Sequence, residues 1–361
     1  TEALRRSETI GAETAVSSIV VEPLDGAGYA GQVARIVLTY DTANTVPNTL
    51  IAKFSHPDSN VREALHDLYL REVHVYQTLV DDINLYTPEC YCSMVDTESG
   101  YAILLLEDLG HLRTGDIAQG CTIEDAETVI AHFARHHAQW WEHPLLDDDA
   151  YLKPDDVYEL DWLETYREWS AQFEENIMNA CPNINLPTSF LDLGKQAAEQ
   201  LQEIYNKVAA TPFTFIHKDT HLDNFLFAAS ENDPPLTVID WQLCNAGPGV
   251  SDMAYFMISS MPIELRCQAE YRLIKIYHSL LLKYGVTNYS FRNLVVATAV
   301  VGLMDLTRPH AKAFIPVLVA RLIAFAEDHA VSDFLVQHNE QAELETAVIN
   351  YLGTEFPVPL Y

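Results

Sequence analysis

Apolar and polar positions alternate in short runs near the start of the chain and recur at helical spacing further on. Ser17–Leu24 and Gln32–Tyr40 are rich in β-branched residues and alternate, which predicts two strands. Gly26-Ala27-Gly28-Tyr29-Ala30-Gly31 lies between them as a turn. Leu50-Ile51-Ala52-Lys53-Phe54 predicts a buried strand with one lysine inside it. From Val61 to Leu79, the residues Leu65, Leu68, Tyr69, Val73, Tyr76 and Leu79 recur as on one face of a helix. Tyr101–Leu106 is wholly apolar and runs into Glu107-Asp108-Leu109-Gly110, a strand with a polar end. Pro212–Ile216, Phe225–Phe227 and Leu236–Ile239 predict three more strands, the last two joined by the turn signal Glu231-Asn232-Asp233-Pro234-Pro235. Helices are predicted over 124–142, 157–180, 189–209, 262–284, 290–306, 310–330 and 334–352. Strands dominate early and helices late, so the expected class is α+β, with a sheet-rich region over 1–107 and a mostly helical one over 108–361.

The polar positions that interrupt this pattern carry candidate chemistry. His217-Lys218-Asp219-Thr220-His221-Leu222-Asp223-Asn224 reads H-x-D-x-x-x-x-N, and an apolar strand then leads to Asp240. Kinases use that spacing to place a base, a metal-binding amide and a metal-binding carboxylate around one phosphoryl group. Asp219 is the candidate for the attacking hydroxyl. Asn224 and Asp240 are oxygen donors suited to magnesium, which takes few protein ligands and leaves the rest to phosphate and water. A His- and Asp-rich turn between buried strands is the alternative.

Three upstream features bear on the choice. The G-x-G-x-x-G of Gly26, Gly28 and Gly31 is followed by a strand, not by the helix that a dinucleotide-binding turn requires. It is either a flap whose amides cover nucleotide phosphates or an ordinary hairpin turn. Lys53 in an apolar strand calls for a partner, and Glu72 on the following helix is the candidate; otherwise Lys53 snorkels from an edge. The backbone of Glu107 to Leu109 is either a hinge that binds adenine or the end of a central strand.

With these residues in place the chain resembles the aminoglycoside phosphotransferase and choline kinase superfamily, and within it the ecdysteroid kinase-like (CHK kinase-like) branch. The resemblance rests on Arg71-Glu72-Val73-His74-Val75-Tyr76, Leu105-Leu106-Glu107-Asp108-Leu109, His217-x-Asp219-x-His221-x-x-Asn224, Ile239-Asp240-Trp241-Gln242 and Gly249-x-x-Asp252. It implies a two-lobed protein kinase-like fold, with a small antiparallel sheet before residue 108 as the nucleotide lobe. The larger helical lobe would carry catalysis and the substrate pocket. It implies ATP and Mg2+ as cofactors and a hydroxyl-bearing small molecule as acceptor. The expected site is Asp219, Lys53, Glu72 and His217 for catalysis, Gly26, Gly28, Gly31, Lys53, Glu107 and Leu109 for the nucleotide, and Asn224 and Asp240 for the metal. His217 is expected to brace the loop and Asp252 to anchor its backbone. Two departures stand out. Lys218 occupies a place where such kinases usually have glycine, either near the transferred phosphate or toward solvent. Trp241-Gln242 follows Asp240 where protein kinases have Phe-Gly, which argues against their movable switch. A pseudokinase, a metal-dependent hydrolase built on Asp219, His221, Asp223 and Asp240, and a protein-serine kinase are the competing classes. The short stretch after Asp240 weighs against the last.

Composition narrows the partners. The net charge of −31, from 52 acidic and 21 basic residues in 361, disfavours nucleic acid and anionic membranes as partners. It would attract a cationic acceptor, or it serves solubility alone. The scattered cysteines, Cys90-Tyr91-Cys92 included, fit neither a disulfide framework nor a zinc knuckle, so a reduced, cytoplasmic setting is expected. The apolar run 294–304 is too short to span a bilayer, and no signal core opens the chain. His132 and His136 lie one turn apart beside His137, which fits either a metal pair or a packing helix, and packing is the expectation. The aromatics Tyr158, Trp162, Tyr166, Trp169 and Phe173 would wall the acceptor pocket or fill a core.

Overall fold

The computed structural model describes residues 1–24, 31–42, 46–154, 175, 178, 186–199, 211–290 and 316–328. The glycines Gly26 and Gly28, the aromatic segment 158–173, and the helices expected over 157–180, 290–306 and 334–352 fall largely or wholly outside them. The strands are β1 (Val16–Pro23), β2 (Gly31–Tyr40), β3 (Thr49–Ser55), β4 (Cys90–Val95) and β5 (Ala102–Glu107). Short strands follow as β6 (Arg113–Thr114), β7 (Thr214–Ile216), β8 (Phe225–Phe227), β9 (Leu236–Val238) and β10 (Asn245–Gly247). The helices are α1 (Glu2–Arg6), α2 (Ser59–Ala64), α3 (His66–His74), α4 (Ile123–Gln139) and α5 (Leu145–Asp148). They continue as α6 (Thr188–Glu199), α7 (Val250–Ser260), α8 (Ile263–Lys283) and α9 (Pro316–Asp328).

The chain divides into two compact units. The first is Thr1–Thr114 with Phe225–Cys244. Its main sheet is antiparallel throughout, in the order β1-β2-β3-β5-β4. Alternation explains its faces. Ala34, Ile36 and Leu38 on β2 and Leu50 and Ala52 on β3 share one core with Leu4, Ile10 and Tyr91. Lys53 is one residue out of phase with Leu50 and Ala52, so it projects to the other face. Gly31 opens β2 opposite Ser55, where a Cβ would collide with the Phe54 carbonyl. The second sheet, β6-β8-β9, ends just before Asp240.

Two expectations in this unit are corrected. The helix expected over 61–79 is interrupted. Asp58 caps α2 by accepting from the Asn60 and Val61 amides, Leu65 leaves helical geometry, α3 follows, and a wide turn spans Val75–Leu79. The periodicity is unaffected because the pieces stay nearly in phase. Strand β4 was not expected. A bulge between Cys90 and Cys92 breaks its alternation, which removes the period-two signal.

The second unit is Gly115–Asn224 with Asn245–Tyr361. In it α4 packs on α8, α7 on α9, and β7 pairs with β10. A capping box between Thr122 and Asp125 starts α4. The helix ends at Gln139 rather than 142, because Trp140 leaves helical geometry and Glu142 turns to positive φ. His136 and His137 are fully buried on its packed face, as a packing helix requires. Among the described residues no helix is long and apolar enough to cross a membrane.

Candidate functional site

The candidate residues assemble into two clusters, one within each unit. In the first unit, Lys53 on β3 meets Glu72 on α3 and Asp240 after β9. Its Nζ lies 2.7 Å from Glu72 Oε2 and 2.6 Å from Asp240 Oδ1. The Glu72 side chain is 4 % exposed and that of Asp240 27 %. Burial works against the Lys53 ammonium, but Asp240 and Glu72 outweigh it and raise its pKa, so the charge is kept. Burial pushes the Glu72 carboxyl up to about 7 against the pull of Lys53, and the negative Asp240 adds to the rise. The Trp241 backbone amide also donates to Glu72. One ammonium thus serves two carboxyl groups, of which Asp240 is the more exposed.

Asp240 is not the last residue of its strand, as the sequence pattern had suggested. β9 ends at Val238, and Asp240 adopts a left-handed conformation (φ 67°) that leads into a tight turn at Trp241–Leu243. Trp241 is fully buried and its Nε1 donates to the Val238 carbonyl. The Gln242 amide nitrogen lies 3.3 Å from Asp240 Oδ2. Arg35 on β2 donates to Asp108 in two hydrogen bonds of 2.6 and 3.1 Å. The Glu107 amide donates to the Glu89 carbonyl, and Leu112 donates to the Leu109 carbonyl. The side chains of Glu107 and Leu109 join neither cluster.

In the second unit, the loop 217–224 folds around Asp219. Asn224 Nδ2 donates to Asp219 Oδ2 at 3.0 Å and to the Asp219 carbonyl at 2.9 Å. His221 Nε2 lies 3.3 Å from Asp219 Oδ2. The Asp219 amide donates to His217 Nδ1 at 3.3 Å. Burial alone would raise the Asp219 carboxyl, but the hydrogen bond and charge of His221, with His217 and Asn224, lower it to about 2. Asp219 is therefore ionised at neutral pH. With its amide nitrogen turned to Asp219, Asn224 directs its amide oxygen the other way.

Behind the loop stands Asp252, buried at the start of α7. It accepts the His217 amide at 2.8 Å and the Lys218 amide at 2.7 Å. His137 Nε2 lies 3.2 Å from the same carboxylate, and His137 Nδ1 lies 2.7 Å from the Tyr277 hydroxyl. Thr220 Oγ1 donates to the Asp252 carbonyl. This holds Lys218 at φ 70°, a conformation that favours glycine.

Asn224 is expected to turn toward a metal ion and here donates to Asp219, whereas the pairing of Lys53 with Glu72 was anticipated. The contacts of Gln242 with Asp240, of His221 with Asp219 and of His137 and Tyr277 around Asp252 were not. His221 and Gln242 had a signal, since each lies within two residues of a named carboxylate. Tyr277 had none, being separated from His137 by 140 positions. Among the described residues no group of three or more His, Cys, Asp and Glu side chains is arranged to hold a metal.

The sequence pattern of the ecdysteroid kinase-like family matches residues 25–285. No curated protein sequence matches the chain. Among solved structures, the chain is similar to the GDP complex of wild-type aminoglycoside 2'-phosphotransferase-IIIa. The two are 13 % identical, the match covers 92 % of this chain and 100 % of that one, and the TM-score is 0.53. It is also similar to the microcompartment-associated aminopropanol kinase, at 12 % identity, covering 88 % of this chain and 94 % of that one, with a TM-score of 0.50. At these identities the likeness establishes the fold, an α+β kinase-like architecture with an antiparallel sheet in the N-terminal region and a helical C-terminal region.

Proposed function

This chain belongs to the ecdysteroid kinase-like family, and from that premise we propose that it transfers the γ-phosphoryl group of ATP to a hydroxyl on a small molecule. The observation that carries the reading is the position of Lys53 between Glu72 and Asp240. An ammonium held charged and aimed by a buried glutamate is suited to bind the α- and β-phosphates. The structural neighbours support the class. One is a GDP complex of an aminoglycoside phosphotransferase and the other an aminopropanol kinase.

The residues divide the work. Gly26, Gly28 and Gly31 are assigned to the phosphates, and the backbone of Glu107 and Leu109 to the adenine. Asn224 and Asp240 are the residues that would hold Mg2+. The donor set fits that ion: an amide oxygen and a part-exposed carboxylate are hard oxygen ligands, and magnesium draws few of them from protein. When bound, Mg2+ neutralises charge on the phosphate oxygens. The part-exposed Asp240 carboxylate would favour such a cation.

Asp219 orients the acceptor hydroxyl and takes its proton. The hydroxyl oxygen bonds to the γ-phosphorus as the bond to the β-phosphate oxygen breaks, and ADP leaves with that electron pair. A carboxylate lowered to about 2 is a weak base. It suits a loose transition state, in which the hydroxyl gives up its proton late and positioning carries most of the catalysis. His217 and His221 keep Asp219 ionised and oriented. The acceptor is bound within the mostly helical region 108–361.

Thermal shift with ATP, GTP and ADP, each with and without Mg2+, tests the nucleotide half. The expected result is a Mg2+-dependent shift that Asp240→Asn diminishes. Incubation with ATP and a panel of amino alcohols, sugars and sterols then tests the acceptor half, with transferred phosphate read by mass. No shift with any nucleotide would end the reading.

A further inference from the structure

Asp240 carries two carboxylate oxygens, and they face different partners. Oδ1 meets Lys53 at 2.6 Å, and Oδ2 receives the Gln242 side-chain amide at 3.3 Å. A carboxylate held at one oxygen can still rotate about its last bond, whereas one held at both has its plane fixed. Gln242 supplies the second point.

The turn that carries Gln242 is itself held from α3. The Gln242 carbonyl accepts from Arg71 at 3.5 Å, and the preceding Trp241 amide donates to Glu72. Trp241 is fully buried. Gln242 therefore has little freedom to leave Asp240.

A second observation concerns the far end of the same amide. Gln242 Oε1 is buried and has no hydrogen-bond partner among the described residues. A buried amide oxygen without a donor is unfavourable, and such groups call for a reason. An amide that only filled space would turn that oxygen toward a donor or toward water. Here it stays orphaned while the nitrogen end holds Asp240.

We propose that Gln242 is a positioning residue that fixes the plane of the Asp240 carboxylate and thereby sets the affinity of the site for a divalent cation. The inference rests on the reading of Asp240 as a metal ligand. Partners that orient a ligating carboxylate commonly govern metal affinity without touching the metal.

The test is Mn2+ binding in the presence of ADP, with free Mn2+ followed by electron paramagnetic resonance. Four proteins are compared: wild type, Gln242→Met, Gln242→Asn and Asp240→Asn. Methionine keeps the length and bulk of the side chain and removes the amide. Asparagine keeps the amide and is one carbon too short to reach. Both Gln242 variants are expected to weaken Mn2+ binding by roughly 10- to 100-fold. Their melting temperatures should stay near wild type, and ADP binding without metal should be unchanged. A merely structural role would move the melting temperature and leave the Mn2+ affinity alone.

Wild-type Mn2+ affinity in a folded Gln242→Met or Gln242→Asn protein would overturn the proposal while leaving the kinase reading intact, provided Asp240→Asn loses Mn2+. Mn2+ binding in wild type that is absent, or indifferent to Asp240→Asn, would overturn both.

Discussion

The Lys53 cluster and the Asp219 loop are built on opposite principles. Lys53 is joined to partners 19 and 187 positions away, and what joins them is charge. Asp219 is joined to partners within five positions, and what shapes that loop is backbone hydrogen bonding to the buried Asp252. One cluster gathers two carboxyl groups on a single ammonium. The other surrounds one carboxylate with donors that lower it to about 2. The lesson is a division between a site prepared to take up positive charge and a site prepared to keep one group ionised and aimed. Each should fail differently when altered.

The largest effect is expected where charge is the connecting force. Lys53→Met leaves Glu72 and Asp240 facing each other without their ammonium. Removing one member of a buried ion pair typically costs about 3–5 kcal/mol. Urea denaturation should show a loss toward the lower end of that range, since Asp240 is part-exposed. Adding Glu72→Gln to Lys53→Met should restore part of it. Strictly additive losses would show that the two do not act as a pair.

The Asp219 loop should respond to protons instead. Its carboxyl lies below the ordinary 3.8, at about 2 in the folded chain. A group lowered on folding stabilises the native state above its unfolded value, and that contribution disappears as pH falls through the folded value. The contribution is about 2 kcal/mol. Comparing wild type with Asp219→Asn from about pH 5 to about pH 2 should show the difference between their unfolding free energies shrinking as the acid is added. A difference that stays constant across that window would contradict the lowered carboxyl.

The smallest effect sharpens the role of backbone geometry. Lys218 at φ 70° adopts a conformation that disfavours any side chain by about 1–2 kcal/mol. Glycine removes that cost but loses roughly 0.5–1 kcal/mol of chain entropy. Lys218→Gly should therefore raise unfolding stability by up to about 1.5 kcal/mol. A clear loss of stability would mean that the lysine side chain contributes more than its backbone costs.

The two clusters were also unequally legible in the sequence. The loop 217–224 could be read because its partners lie within one short motif. Lys53 could be read because a charge inside an apolar strand demands a partner, and the ordered kinase motifs pair such a lysine with a glutamate on the following helix, here Glu72. Strand β4 escaped because a bulge at Cys90 and Cys92 cancels its alternation. The helix 61–79 was read as one piece because periodicity survives an interruption at Leu65. The turn after Val238 escaped because a left-handed Asp240 has no sequence signature of the kind glycine provides. Tyr277 and His137 meet only after α4 packs on α8, and nothing local announces a contact between residues so far apart.

The most direct test of the division is to measure the dissociation constants of Mg2+ and ADP for Asp219→Asn and Asp240→Asn side by side, with transfer to an acceptor followed in the same preparations. Asp219→Asn is expected to bind Mg2+ and ADP like wild type while its turnover falls by about 10²- to 10⁴-fold. Asp240→Asn is expected to lose Mg2+-dependent binding. Equal loss of binding in both variants, or wild-type turnover in Asp219→Asn, would contradict the division between the two clusters.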